Sequence, residues 1–412
     1  MTKKLSNTKY FCMSPWTHLH FLPNGDVIPC CLSPVSEVVG NIKKQPLEEI
    51  WNSEKIKNMR INMLNEKPCS ECKRCYDKES TGFSSLRTGM NEKYIHHYGL
   101  TDQTKPDGTV EDINLVHWDF RFSNICNFKC RTCGPVFSSN WIDDFKKLYG
   151  TTGKYKKIEK TFDDSSRLAE VIDDIIDNVE SIHFAGGEPL IMEEHYYIMR
   201  KLEEKKKYDV SILYSTNMSK LTYKDINVID LWQNFTDIEI SASLDGMGPE
   251  GEYIRKGYVW KDVEKHWFEI KNNCPNMKMR IHPTISVFNI LHLIDFHKYI
   301  LENNWFDKVL RGPNHFGSQV LLNNLIFPDH YSIQILPEKA KKIIYKKYEE
   351  YNRWLLDNYG VSGIMAVVDY MLLEDKTNEI PKFFNITDNL DRIRNEQFSV
   401  LFPDLNEMLK NG

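Results

Sequence analysis

Nine of the ten cysteines of this chain fall into two groups. The tighter group, Cys126-Asn127-Phe128-Lys129-Cys130-Arg131-Thr132-Cys133, constrains the fold more than any other stretch. Its thiols are spaced C-x3-C-x2-C. The run before them alternates: Val116, Trp118, Phe120 and Phe122 point one way, His117, Asp119 and Arg121 the other. Period-two alternation predicts a strand that ends in the cysteine loop. A short loop lets three thiols converge on one soft metal centre, because thiolates select iron–sulfur clusters, zinc or Cu(I). Three thiolates on a [4Fe–4S] cluster leave one iron without a protein ligand and open to a small molecule. The competing reading is a structural zinc site, which takes four protein ligands and favours C-x2-4-C pairs.

The second group is Cys12, Cys30, Cys31, Cys69, Cys72 and Cys75. The segment FCMSPWTHLHFLPNGDVIPCC alternates like a hairpin with its turn at Pro23-Asn24-Gly25-Asp26, which brings Cys12 and Cys30 together at the open end. A helix is expected over Leu47–Met63, leading to Cys69-Ser70-Glu71-Cys72-Lys73-Arg74-Cys75. Two separated thiol pairs can close one tetrahedral site, so zinc competes here as well. Clustered cysteines without a disulfide pattern fit metal binding in a reducing cytosol. The N-terminus lacks the apolar core of a signal peptide, and no apolar run spans a membrane. A net charge of −5 supplies no global basic field for nucleic acid. The lysine-rich run Lys339–Lys347 reads as a solvated helix face.

Residues 91–112 are polar, with Lys-Pro and Asp-Gly turn signals, and read as a linker. Beyond them strands and helices alternate. Helices are expected at Arg167–Val179, Glu193–Lys207, Lys261–Lys271 and Leu291–Asn303. Strands are expected at Ser181–Phe184, Asp209–Ser215, Asp237–Leu244 and Met277–Val287. A last apolar pair follows at Val320–Phe327 and Tyr331–Leu336. Alternating units imply a parallel sheet with right-handed crossovers, here an open partial barrel. Its site belongs at the C-terminal strand ends. Those ends carry Gly186-Gly187-Glu188-Pro189, Thr216-Asn217, Ser241 with Ser243 and Asp245, and Asn289. Cys274 stands alone and reads as structural.

Cys126-x3-Cys130-x2-Cys133, with the aromatic Phe128 ahead of the second cysteine, resembles the signature of the radical S-adenosylmethionine (SAM) enzymes. The Cys12-x12-Gly25-x4-Cys30 and Cys72-x2-Cys75-x3-Glu79 patterns, with Gly82, Ser85 and Arg87, resemble the SPASM and twitch modules. The resemblance implies an α/β fold, a partial (β/α)6 TIM-like barrel with a small N-terminal Cys-rich β-hairpin/helix domain and a helical C-terminal tail. The expected boundaries are 1–95 for the auxiliary domain, 96–112 for the linker, 113–340 for the core and 341–412 for the tail. The tail is a candidate substrate lid, with Arg392 and Arg394 facing either an acidic substrate or solvent. The module usually follows the core, whereas here it precedes it.

The resemblance also implies the cofactors: a SAM-binding [4Fe–4S] cluster on Cys126, Cys130 and Cys133, SAM itself, and an auxiliary [4Fe–4S] cluster. Of the six N-terminal cysteines, Cys12, Cys30, Cys72 and Cys75 are the expected ligands, with Cys31 and Cys69 spare or substituting. SAM would meet Phe128, the Gly186-Gly187-Glu188 turn, Thr216, Asn217, Ser241, Ser243 through its ribose, Arg255 through its carboxylate, and Asn289 near adenine. Reduction would cleave SAM to a 5′-deoxyadenosyl radical that takes a substrate hydrogen. The implied enzyme is a cytoplasmic oxidoreductase served by a flavodoxin- or ferredoxin-type donor. It would oxidise, dehydrogenate or cross-link a peptide or small molecule. With some eleven residues before Cys12, no leader-peptide domain is expected. Two alternatives belong to other classes: a non-catalytic cluster or zinc protein that keeps the fold, and a nucleic-acid-modifying enzyme.

Overall fold

Asn24 and Gly25 turn the chain between strands β1 (His18–Phe21) and β2 (Asp26–Ile28). The Asn24 side chain accepts from Asp26 N at 3.1 Å. Gly25 takes φ +88°, and a Cβ there would lie 2.8 Å from Lys43 Cγ. Glycine is the residue that meets both demands. The structure, a computed structural model, describes residues 8–80, 82, 84–307, 311–312, 315–316, 319–361 and 363–411. Residues 1–7 of the expected N-terminal domain therefore lie outside the described residues. The fold class is α/β, with parallel strands alternating with helices.

The chain divides into two units. The first takes Met1–Asn124, Ile158–Leu213 and Asn234–Asp237. Its sheet runs β5-β4-β1-β2-β3, with β3 at Gly40–Asn41, β4 at His117–Phe120 and β5 at Ser181–Phe184. Strand β1 lies parallel to β4, with His18 opposite His117 and His20 opposite Asp119. Strand β4 lies parallel to β5, with Asp119 opposite His183. The N-terminal cysteine module thus adds a parallel strand beside β4, and the sheet continues across the expected boundary near residue 95. Side chains alternate across it. One face buries Leu19, Phe21, Trp118, Phe120, Ile182 and Phe184, with Phe21 and Phe120 stacked at 4.1 Å. The other carries His18, His20, His117, Asp119, Ser181 and His183.

Two expectations change in this unit. The single helix over Leu47–Met63 is two, Leu47–Trp51 and Glu54–Leu64. Asn52 breaks it, because its side chain is used elsewhere, accepting from Val110 N at 3.0 Å and donating to Val110 O at 2.9 Å. The linker is largely helical: Leu86–Tyr94 is α-helix and Ile95–Gln103 is 3-10 helix. Beyond it, Gly108 packs so closely that a Cβ would lie 2.4 Å from Lys57 O. Arg60 ties these pieces together. Fully buried, it donates to Pro15 O, Asn52 Oδ1, Gly108 O and Trp51 O at 2.9–3.2 Å.

The second unit takes Ile125–Lys157, Tyr214–Gln233 and Ile238–Gly412. Strand β6 (Ser211–Thr216) begins in the first unit and ends in this one. Ser243 N bonds Thr216 O at 2.8 Å, and strand Ile238–Ala242 pairs in parallel with Lys278–Ile281. The expected strand Met277–Val287 breaks into Lys278–Ile281 and Thr284–Ile285. Alongside runs Val320–Leu325, held by Leu321 N to Ile281 O and Leu325 N to Ile285 O, both at 2.8 Å. The second member of the expected apolar pair, Tyr331–Leu336, is 3-10 turn, Asp329–Tyr331 and Ile333–Ile335. Its residues bury into the C-terminal apolar cluster with Phe288, Phe383, Phe398 and Phe402, so tertiary burial overrides their strand propensity.

Arg60→Met removes the donor from three backbone carbonyls, of Pro15, Trp51 and Gly108. The expected outcome is a loss on the order of 3 kcal/mol, read as a lower urea midpoint, with iron lost from the N-terminal module.

Candidate active site

The cysteine loop lies in the second unit and is held by backbone first. Lys129 N bonds Lys256 O at 2.9 Å and Arg131 N bonds Ile254 O at 2.8 Å. Gly257 permits this approach. Its φ is +109°, and a Cβ there would meet Phe128 Cδ1 at 2.8 Å and Asn127 O at 3.0 Å. Phe128 is buried edge-on against Tyr258. The Trp141 indole donates to Cys130 O at 2.6 Å, and the Ser138 hydroxyl to Phe128 O at 2.5 Å.

Charge fixes the rest of the loop. The Arg131 guanidinium is fully buried, 3.6 Å from the centre of the Tyr253 ring. It pairs with Asp391 and, at 2.8 Å, with Glu396. Asp391 also accepts from Tyr253 Oη at 2.7 Å and Phe398 N at 2.6 Å. Lys129 and Arg394 both pair with buried Asp144, at 3.0 and 2.8 Å. Arg394, one of two arginines offered for an acidic substrate, is thus committed to an internal ion pair. Arg392 is exposed and donates to Asn389 Oδ1 at 3.2 Å. The C-terminal helix Ile380–Arg394 braces the cysteine loop.

Arg255 arrives beside the same loop. It pairs with Asp245 through Nη2 at 2.9 Å and Nε at 2.7 Å, and its Nη1 lies 3.9 Å from Cys130 Sγ. Burial opposes its charge, but Asp245 and Cys130 hold its pKa above the ordinary value. Asp245 is set by Thr284 N at 2.7 Å, and its backbone carbonyl by Asn289 Nδ2 at 2.9 Å. Asn289 is fully engaged, its Oδ1 accepting from Ser286 N at 2.8 Å. Asn217 bonds Asn127 of the cysteine loop at 3.0 Å, and Thr216 Oγ1 accepts from Met218 N at 3.0 Å. Ser241 reaches His282 Nδ1 at 3.3 Å, and Ser243 is half-buried. The strand ends at 216–217, 241–245 and 284–289 thus share this unit with the cysteines.

In the first unit, Gly186 takes φ +121° beneath Arg121 and Ser123, and Gly187 N bonds Ser123 O at 3.2 Å. Buried Glu188 accepts from Leu190 N at 3.2 Å. Two residues before this turn's alanine, His183 belongs to a row that sequence reasoning missed. His20 Nδ1 lies 2.9 Å from Asp119 Oδ2, His183 Nδ1 3.7 Å from Oδ1, and Arg121 Nη2 3.0 Å from Oδ1. Burial opposes the Asp119 charge, yet Arg121 and the two histidines hold its pKa well below the usual carboxylate range. The signal was present as the polar face His117-Asp119-Arg121. Its partners, His20 and His183, come from other strands and only pairing reveals them.

The first unit also holds the second thiol group. One cavity is lined by Cys12, Cys30, Cys72 and Cys75, with Met59 and Met63. Neither Cys31 nor Cys69 lines it. Arg87 closes one side, paired with Glu79 at 2.5 Å and donating to Phe11 O at 2.6 Å. Burial and Cys72 push the Cys12 thiol up to about 12. Burial likewise pushes Cys130 up to about 12, against the pull of Arg255. A metal cation must displace the proton from such thiols, and soft sulfur donors grouped in this way are of the kind iron–sulfur clusters take.

A model of an iron–sulfur cluster-binding domain, SPASM, matches residues 12–76, and a model of the radical SAM superfamily matches residues 120–295. No curated protein matches. Among solved structures, native anSMEcpe with bound AdoMet and Cp18Cys peptide is similar at 17% identity over 60% of this chain and 61% of that one, TM-score 0.36. Native anSMEcpe with bound AdoMet and Kp18Cys peptide is similar at 16% identity over 60% and 62%, TM-score 0.38. Streptococcus suis SuiB bound to S-adenosylmethionine is similar at 13% identity over 82% and 67%, TM-score 0.31. The chain therefore spans about three fifths of the length of the anSMEcpe structures.

Arg131→Gln removes the cation that Asp391 and Glu396 surround. The expected cost is on the order of 3–5 kcal/mol. Guanidinium melts should show it, and iron should fall from ~8 to ~4 per chain as the braced loop loses its cluster.

Proposed function

Because the chain belongs to the radical SAM superfamily and carries a SPASM domain ahead of its core, we propose that it is a substrate-oxidising radical SAM enzyme acting on a peptide or small molecule. When bound, SAM at a reduced [4Fe–4S] cluster supplies hydrogen-abstracting chemistry, and an auxiliary cluster supplies a one-electron acceptor. Cys126, Cys130 and Cys133 would hold the first cluster. Cys12, Cys30, Cys72 and Cys75 would hold the second. Arg255, held by Asp245 with Nη1 toward Cys130, would take the SAM carboxylate, for which a planar guanidinium fork suits. Phe128, Gly186, Gly187, Glu188, Thr216, Asn217, Ser241, Ser243 and Asn289 would frame the rest of the SAM site. A flavodoxin- or ferredoxin-type protein would donate the starting electron.

One observation carries the oxidative reading. The β1–β2 hairpin bears His20 on its first strand and leads to Cys30 just past its second. A substrate oxidised by two electrons loses a hydrogen atom, then an electron and a proton. This hairpin brings a ligand of the proposed electron acceptor next to a buried His20–Asp119–His183 row able to take the proton. The two are close electrostatically: after Cys30 and burial, the charges of Asp119 and Arg121 act on the Cys31 thiol. The row sits near the C-terminal ends of three parallel strands, where catalytic groups in such sheets collect. His183, the least buried of the three, would accept the proton while Asp119 orients its ring.

The reading is tested without knowing the substrate. Anaerobically reconstituted protein is expected to hold ~8 irons and to convert SAM to 5′-deoxyadenosine with dithionite. Cys126→Ala should abolish that conversion. A folded Cys72→Ala/Cys75→Ala variant should keep it while dropping to ~4 irons. A variant that keeps all its iron would remove Cys72 and Cys75 from the ligand set. Wild-type protein with about four irons and one zinc would remove the auxiliary electron acceptor.

A further inference from the structure

A third cluster of metal-binding groups lies in the first unit, apart from both sets of thiols. His96 and His97 open the 3-10 segment Ile95–Gln103, and Glu180 immediately precedes β5. His96 Nε2 lies 3.0 Å from Glu180 Oε2, and His97 Nε2 lies 2.7 Å from Oε1. Ligand atoms of all three residues fall within 4.8 Å of one another. The imidazole rings are 4.2 Å apart. Successive residues of a 3-10 helix point about 120° apart. Both rings nevertheless turn to one carboxylate more than eighty positions away in sequence.

We propose that His96, His97 and Glu180 bind a divalent transition ion of the zinc class. Two imidazoles and one carboxylate are an established zinc donor set, with the fourth position left to water. Donor atoms about 2.0–2.2 Å from a tetrahedral ion stand roughly 3.3 Å from one another, and each imidazole here lies 2.7–3.2 Å from a Glu180 oxygen. Nitrogen and oxygen donors separate this site from the thiolate sites, which select iron–sulfur chemistry. An ion can enter, because the side chains of His96, Glu180 and His97 are 54%, 39% and 23% exposed. A polar cavity of about 380 Å³, lined in part by His97, Glu180, Asn114, Asp177, Lys207 and Asp209, adjoins two of the three and leaves room for a water ligand. The backbone that carries this carboxylate is fixed to β4's approach, since Glu180 N bonds Val116 O at 2.9 Å. A bound ion would clamp the helical segment that follows the cysteine module onto the start of β5. It would be structural, and the proposal stands independently of the oxidative reading.

The test uses reconstituted holoenzyme equilibrated with zinc sulfate and then desalted. Metal analysis should give about one zinc per chain beyond the iron, and zinc-edge X-ray absorption should show nitrogen and oxygen ligands without sulfur. His96→Ala/His97→Ala should lose that zinc and keep its iron. Glu180→Gln, which preserves side-chain shape and so guards against a folding artefact, should lose it as well. Three results would overturn the site: equal zinc in wild type and variants, sulfur ligation of the zinc, or wild-type protein that retains none. In the last case the three residues form only an ion-paired surface cluster.

Discussion

A buried guanidinium holds the cysteine loop in place. Cys126–Cys133 contains no regular structure, so nothing intrinsic keeps its thiols together. Arg131 sits between the Tyr253 ring and the carboxylates of Asp391 and Glu396, and those carboxylates come from the far end of the chain. Lys129, Arg394 and Asp144 repeat the device on the other side of the loop. Ion pairs of this depth contribute little net stability against their desolvation. What they supply is a single geometry, because a half-broken pair leaves a charge buried alone. The C-terminal helix is therefore a brace for the cysteine loop before it is anything else.

The N-terminal module is bound to the core by a different force. Its first strand pairs in register with β4 and shares an aromatic face with it, Phe21 on Phe120. Parallel strands are usually apolar on both faces. Here the second face is a lattice of His18, His20, His117, Asp119 and His183. Burial drives the His18 pKa down to about 4 and that of His117 well below its ordinary value, so both are neutral near pH 7. The charge that persists on this face is concentrated at Asp119 with Arg121. A sheet that spends one face on ionisable groups loses packing there, and proton handling is the return proposed for it.

Much of the site was legible because it is local. Three thiols within eight residues, the Gly186-Gly187-Glu188 turn and the alternation before the loop are properties of short segments. The two segments that the radical SAM and SPASM family models match could both be read from such spacings. The helix break at Asn52, the helical residues 86–103 and the turns at 329–335 were not legible. Each depends on a partner distant in sequence: Val110 for Asn52, and the C-terminal aromatic cluster for Tyr331 and Ile333.

The sequence by itself determined the soft-metal chemistry and the α/β class, since thiol spacing and hydrophobic period act within a few residues of chain. Only the tertiary structure decided which strands are neighbours. Strand pairing set His20 beside Asp119 and Asp119 beside His183, joined β1 to the core sheet, and gathered Cys12, Cys30, Cys72 and Cys75 around one cavity. The reason is physical. Register and ion pairing are chosen by burial summed over residues up to 265 positions apart, as Arg131 and Glu396 are, and no local period encodes that sum.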